Sequence, residues 1–278
     1  MRRASTCLAV LGLALLSVPA AASAAPTVTY KVTAIPIPGY PHTGNIAGAG
    51  AAALFEFTIK GTEYDEGHPA PLIGVNVTFP KGTALHPSGF KTCSKASLEK
   101  LGEKAVGSAS CPKQSELTFP ISAPQPESPS IILAKESYAL GVVRFGKEVT
   151  EEKSRVLGFF APGGNLVFFS KGVTPAAFEI LSPGTVTLGS TPKSTTTVPL
   201  VETVPGAADA SVEKIVVYAG AAYKKGGKTV YYGTMPKKCP KGGYPVKAEL
   251  TFAKISALPA DEPGEKVTAT YKAPCARK

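Results

Sequence analysis

Residues Phe55 to Lys60, FEFTIK, alternate apolar and polar without a break, and this period of two constrains the fold more than any other feature of the chain. A strand turns successive side chains to opposite faces, so strict alternation reads as a strand with one face buried and the other solvated. Ile73, Val75, Val77 and Phe79 repeat the pattern, with Gly74, Asn76 and Thr78 on the opposite side. RVLGFFAPGGNLVFFSKG sets two apolar runs around Pro162 to Asn165, and VEKIVVYAGAAYKKGGKTVYYGT sets two around Lys225 to Lys228. Both read as hairpins, because glycine supplies the positive φ of a tight turn. Further strands are expected at Val28 to Ile35, Ile131 to Leu133, Tyr138 to Phe145, Ala176 to Leu181, Thr196 to Val204, Ala248 to Ala253 and Val267 to Lys272. The 26 prolines and 28 glycines fall at the short intervals expected between such strands.

One stretch argues for a helix, SKASLEKLGEK, with Leu98 and Leu101 on one face and Gly102 as its stop. The fold expected is therefore all-β: a large antiparallel β-sandwich, jelly-roll-like, with one short helix. Residues 25–278 read as a single domain, with a subdomain division near the Ser/Thr/Pro-rich residues 182–197 as the alternative.

The first 24 residues read as a secretory signal peptide: MRR, an apolar run from Cys7 to Pro19, then small residues with an A-x-A site at Ala22-Ser23-Ala24. The run is short of the roughly 20 residues a membrane-spanning helix needs, and no later segment is long and apolar enough, so no integral membrane segment is expected. Cleavage would remove Cys7 and leave Cys93, Cys111, Cys239 and Cys275 for an oxidising compartment, where an even number implies two disulfides. Four cysteines allow three pairings, and nearest-neighbour pairing, Cys93 with Cys111 and Cys239 with Cys275, closes the shortest loops. Zinc knuckles need cysteines two to four residues apart, a spacing these lack, and His42, His68 and His86 sit in separate Pro/Gly-flanked loops. No metal or cofactor is expected.

The chain carries 30 Lys and Arg against 20 Asp and Glu, a net charge of +10. Lys224, Lys225, Lys228, Lys237, Lys238 and Lys241 form its densest run, around KKCPKGGYPVK. Such a cluster suits loose, salt-sensitive contact with an anionic cell-wall polymer. The plainer reading is a surface that lysine keeps soluble. Nucleic-acid binding is not expected, since arginine is scarce and no binding motif is present.

Four segments, VTFPKGTALHPSGFKTCS, AVGSASCPK, KKCPKGGYPVKAELTF and VTATYKAPC, give a cysteine-proline spacing that resembles a family of uncharacterised secreted proteins of actinobacteria. That resemblance implies secretion, disulfides and a β fold, and it implies no activity. Catalytic motifs are missing as well: the sequence has no G-x-S-x-G, no HExxH, no phosphate-binding loop and just three aspartates, Asp65, Asp209 and Asp261. A glycosidase needs two carboxylates, and Glu56 and Glu249 lie in expected strands, but on the polar side of the alternation. Tyr218, Tyr223, Tyr231, Tyr232 and Tyr244 lie near the lysines, where cross-strand packing is the plainer role. The protein expected is a secreted, non-catalytic envelope or extracellular one whose molecular function the sequence does not name, with anionic cell-wall polymer as the candidate partner. The alternative is a secreted carbohydrate-active hydrolase.

Overall fold

The computed structural model describes residues 25–37, 44–64, 67–117, 137–145, 148–172, 177–202, 210–258, 260 and 262–277. The signal segment 1–24, the strand expected at Ile131 to Leu133, His42 and all three aspartates lie outside the described residues.

Strands come first and last along the chain: β1 (Thr27–Pro36), β2 (Gly44–Asn45), β3 (Ala51–Lys60), β4 (Leu72–Thr78) and β5 (Ala84–Leu85) precede helix α1 (Lys95–Leu101). After it run β6 (Ser137–Phe145), β7 (Glu148–Ala161), β8 (Asn165–Gly172), β9 (Glu179–Thr187), β10 (Lys193–Thr197) and β11 (Ala210–Ala219). The last are β12 (Ala222–Lys225), β13 (Lys228–Tyr231), β14 (Gly233–Thr234), β15 (Tyr244–Ala253), β16 (Pro263–Ala273) and β17 (Ala276–Arg277). The four shortest, β2, β5, β14 and β17, pair two by two, β14 with β5 and β17 with β2.

Eleven strands form one antiparallel sheet in the order β1-β3-β11-β6-β7-β8-β9-β10-β4-β15-β16. The sheet folds back on itself until its two edge strands, β1 and β16, lie against each other. No backbone ladder joins them; Tyr30 and Val32 of β1 share an apolar cluster with Ala269, Tyr271 and Ala273 of β16. The body is thus sandwich-like but made of a single curled sheet. Residues 182–197, the Ser/Thr/Pro-rich stretch, supply β10 and most of β9 in the middle of it. Pro183 is accommodated there because it lies just past Gly184, where pairing with β10 stops.

The interior is filled in two places. Phe55, Phe57, Val246, Leu250 and Phe252 pack between β3 and β15 in the largest cluster. At one end Leu85, Leu117, Phe160, Leu166 and Tyr232 form a plug. Both follow from alternation, since Tyr244, Val246, Ala248 and Leu250 are buried while Pro245 and Lys247 are exposed.

A second layer covers the outer face of β7, β8 and β9. Ser94 caps α1 by accepting a hydrogen bond from the Ser97 amide at 3.1 Å, and Gly102, at φ 55°, ends it. Leu98, Cys93 and Cys111 then pack against Phe159, Val167 and Phe169 of the sheet. The disulfide Cys93–Cys111, with Cα atoms 4.2 Å apart, closes this layer, and the Cys93 amide donates to the Phe160 carbonyl at 2.8 Å. The second disulfide, Cys239–Cys275, has its Cα atoms 5.9 Å apart and ties the loop before β15 to the C-terminal segment.

Three expectations need correction. Leu101 does not share the buried face of Leu98: it is 42 % exposed, because the helix ends at once and the chain turns away. Ile73 falls out of phase, since β4 bulges there against β15, so Leu72 rather than Ile73 joins Val75 and Val77 inside. The long hairpin from Val212 to Tyr232 is two elements. β11 pairs with β3 and β6 in the main sheet, and the separate hairpin is just β12 and β13. The break falls at Gly220, where a Cβ would sit 2.4 Å from the Ala52 Cα, an approach that glycine alone permits.

Candidate functional site

Between the two filled regions the curled sheet forms a half-open cavity of about 200 Å³. One arc of its wall is apolar: Phe55 and Phe57 of β3, Ile215 and Val217 of β11, Val75 and Val77 of β4. A bulge between Val212 and Lys214 resets the alternation of β11, so that Val212 and Ile215 both face inward. The other arc, on β7 to β10, places Ser154, Ser170, Ser182, Ser194 and Thr196 among Val156, Phe168 and Ile180. Among the described residues no charged side chain lines the cavity. Tyr232, whose phenol burial pushes well above its ordinary pKa, stands with Phe55 and Phe79 between this space and a smaller one of about 70 Å³.

Register gives the hydroxyls an order. Val156 of β7 lies opposite Ser170 of β8, Phe168 of β8 opposite Ser182 of β9, and Gly184 of β9 opposite Thr196 of β10. From Ser154 to Ser170 to Ser182 to Thr196, each step moves one strand across and one inward position along. The result is a diagonal stripe of oxygens over four neighbouring strands, with Ser194 one inward position beyond Thr196. Diagonal neighbours on a sheet lie about 7–8 Å apart, close enough for one small molecule to bridge. Ser154 and Ser182 are buried, at 6 % and 5 % exposed. Among the described residues none of the five hydroxyls has a hydrogen-bond partner, in contrast to buried Ser137, which accepts from the Tyr218 amide, and Ser211, which donates to the Pro69 carbonyl.

The residues singled out from sequence lie outside this cavity, Tyr232 excepted. Lys224, Lys225 and Lys228 are exposed at the turn between β12 and β13, with Lys225 directly opposite Lys228. Lys237, Lys238 and Lys241 are exposed on the loop that Cys239 anchors. None of the six is ion-paired among the described residues, and no contact joins the two groups. Glu56 pairs with Lys31 at 3.5 Å, and Glu249 accepts from the Asn76 amide at 3.4 Å. Their strands, β3 and β15, are not neighbours in the sheet, and neither carboxylate lines either cavity. His68 meets Glu213 at 2.8 Å, the bulge on β11 having turned this glutamate outward. The tyrosines pack: Tyr223 edge-on to Phe90, Tyr231 over Gly50, and Tyr244 with its hydroxyl donating to the Pro236 carbonyl at 3.3 Å. Among the described residues no three His, Cys, Asp or Glu side chains group as metal ligands, and no helix is long and apolar enough to cross a membrane.

The hydroxyl stripe escaped the sequence reading because Ser and Thr count as polar: Ser170 closes the apolar run of FFSKG, and Ser182, Ser194 and Thr196 fall in residues 182–197, read as a candidate division between subdomains. Serine recurring at the inward phase of consecutive strands is the signal that marks it. No protein-family model matches this chain, and neither a curated protein nor a solved structure matches it.

Proposed function

We propose that this is an exported, non-catalytic binding protein that holds a small apolar molecule inside its curled sheet. The observation that carries the reading is the cavity of about 200 Å³. Protein interiors pack nearly as densely as crystals, and voids larger than a water molecule are few. A half-open, mostly apolar space with a few polar groups is the kind of concavity in which small ligands are held. An apolar cavity of about 150 Å³ takes up benzene, so this one suits a group of about eight carbons. Two disulfides and the leader-like first 24 residues support an oxidising, extracytoplasmic location.

Ethylbenzene, with eight carbons, is a direct probe. At a hundredfold excess over its Kd it should add about 2.7 kcal/mol, raising Tm by about 5–10 °C in a chain of this size. Ala139→Phe fills the cavity from β6 and should abolish the shift. Equal shifts in both proteins, or none in the native one, would sink the proposal.

A second reading rests on the six unpaired lysines, which leave two exposed cationic groups free to contact an anionic wall polymer. Retention on purified cell walls should fall between about 0.05 and 0.5 M salt, where the screening length shrinks about threefold. It should also fall when the six become glutamine; retention indifferent to both would leave the lysines as a solubilising surface.

A further inference from the structure

Building on the apolar-ligand reading, we infer that the ligand is an uncharged molecule bearing hydrogen-bonding oxygen, held by adjacent hydroxyls of the stripe, Ser182 and Thr196. Five hydroxyls face the cavity without a partner among the described residues, and two of them belong to serines more than nine-tenths buried. These hydroxyls are reachable by water inside an otherwise apolar cavity, so they mark the positions where a ligand that displaces that water must supply a donor or acceptor. A hydroxyl both donates and accepts, and the stripe therefore serves an alcohol, ketone or ester equally well.

Among the described residues no cation lines the cavity, so against this wall a carboxylate would enter without a counter-ion, at a cost that hydroxyls alone do not offset. Because the stripe lies on β7 to β10 while β3, β4 and β11 present hydrocarbon, the ligand carries its oxygens along one side and bare carbon along the other.

Four probes of one size separate the possibilities: ethylbenzene, 2-phenylethanol, phenylacetate and 2-phenylethylamine, titrated calorimetrically at pH 8. The alcohol should bind at least about tenfold tighter than either ion, as expected when a charge enters without a partner. Ser182→Ala combined with Thr196→Val, which removes two adjacent hydroxyls of the stripe, should weaken the alcohol about tenfold and leave ethylbenzene unchanged, each lost hydrogen bond being worth about threefold to fivefold. Thr196→Val, which preserves shape, should weaken the alcohol about threefold and serves if the double variant fails to fold. An alcohol-to-hydrocarbon ratio unchanged by these substitutions, or an ion bound as tightly as the alcohol, would overturn the inference while sparing the binding reading. If none of the four probes binds, both fall.

Discussion

Leu98 and Leu101 are equivalent in sequence and opposite in the structure, and that contrast makes a sharp test of how the outer layer is held. Leu98 is the one buried residue of α1, 1 % exposed against Phe159, Val167 and Phe169. Truncating a buried leucine to alanine costs about 2.7–5.0 kcal/mol, rising with the void left behind. The disulfide beside Leu98 limits how far the helix can settle, while the exposed outer side of the helix lets it settle somewhat. Leu98→Ala should therefore cost about 3 kcal/mol, or about 6–12 °C in Tm for a chain of this length. Leu101→Ala, at 42 % exposure, should stay within about 0.5 kcal/mol. Urea unfolding followed by far-ultraviolet circular dichroism reads both from the midpoint, provided m is unchanged. Equal losses from the two, or less than about 1 kcal/mol from Leu98→Ala, would mean that the helix does not anchor the layer.

Three further outcomes can be checked by denaturant or pH titration. Gly141→Ala places a Cβ 2.1 Å from the Ser211 carbonyl oxygen; prising β6 from β11 should cost about 1–3 kcal/mol. Gly74→Ala, whose nearest neighbour is 3.6 Å away, should move the midpoint little. Opening the disulfide loops, whose cysteines are 18 and 36 residues apart, should cost about 3.2 and 3.8 kcal/mol on the chain-entropy account. Non-reducing peptide mapping must recover the same two pairs, and a Cys93 to Cys239 link would contradict them. The hydrogen bond from Lys171, aided by charge from Lys171 and Arg155, holds the Glu103 carboxyl below its ordinary pKa. Its stabilisation is therefore present above the ordinary carboxylate range and lost as pH falls through the lowered value. Glu103→Gln should flatten the acid limb of the stability curve slightly, solvent screening keeping the effect small.

Alternation made the strands legible wherever one face is fully buried. FEFTIK and AELTFA read correctly because water on one side and a packed core on the other leave no freedom of phase, whereas the first four residues of β15, YPVK, were missed beside the lysine-rich Cys239 loop. The disulfide pairing was legible for a similar reason, since export and loop length both favoured neighbours. Phase was lost where a backbone irregularity intervenes. Nothing in LIGVNVT announces the bulge at Ile73, which depends on how β15 is registered beside it. Strand order was not legible either, because β3 and β4 are close in sequence yet belong to distant parts of the sheet. The cavity and its hydroxyls arise from that order, and no local pattern reports which inward positions will find nothing opposite them.

The meeting of β1 and β16 makes the molecule a cylinder with a seam. No ladder pairs the facing rims of β1 and β16, so apolar side chains fasten this line, helped by β2, which follows β1 and pairs with β17 beyond β16, and by the Ile46 amide donating to the Cys275 carbonyl at 2.9 Å. Elsewhere around the sheet, parting two strands breaks a full row of backbone hydrogen bonds; along the seam it breaks far fewer. Local opening should start here, at a free energy below that of global unfolding. Hydrogen exchange would show it as fast amides on the outward rims of β1 and β16, beside slow ones at their shared rows with β3 and β15. A cylinder that can unfasten along one line without losing its weave has a way to widen a half-open interior for a guest, and to let it go.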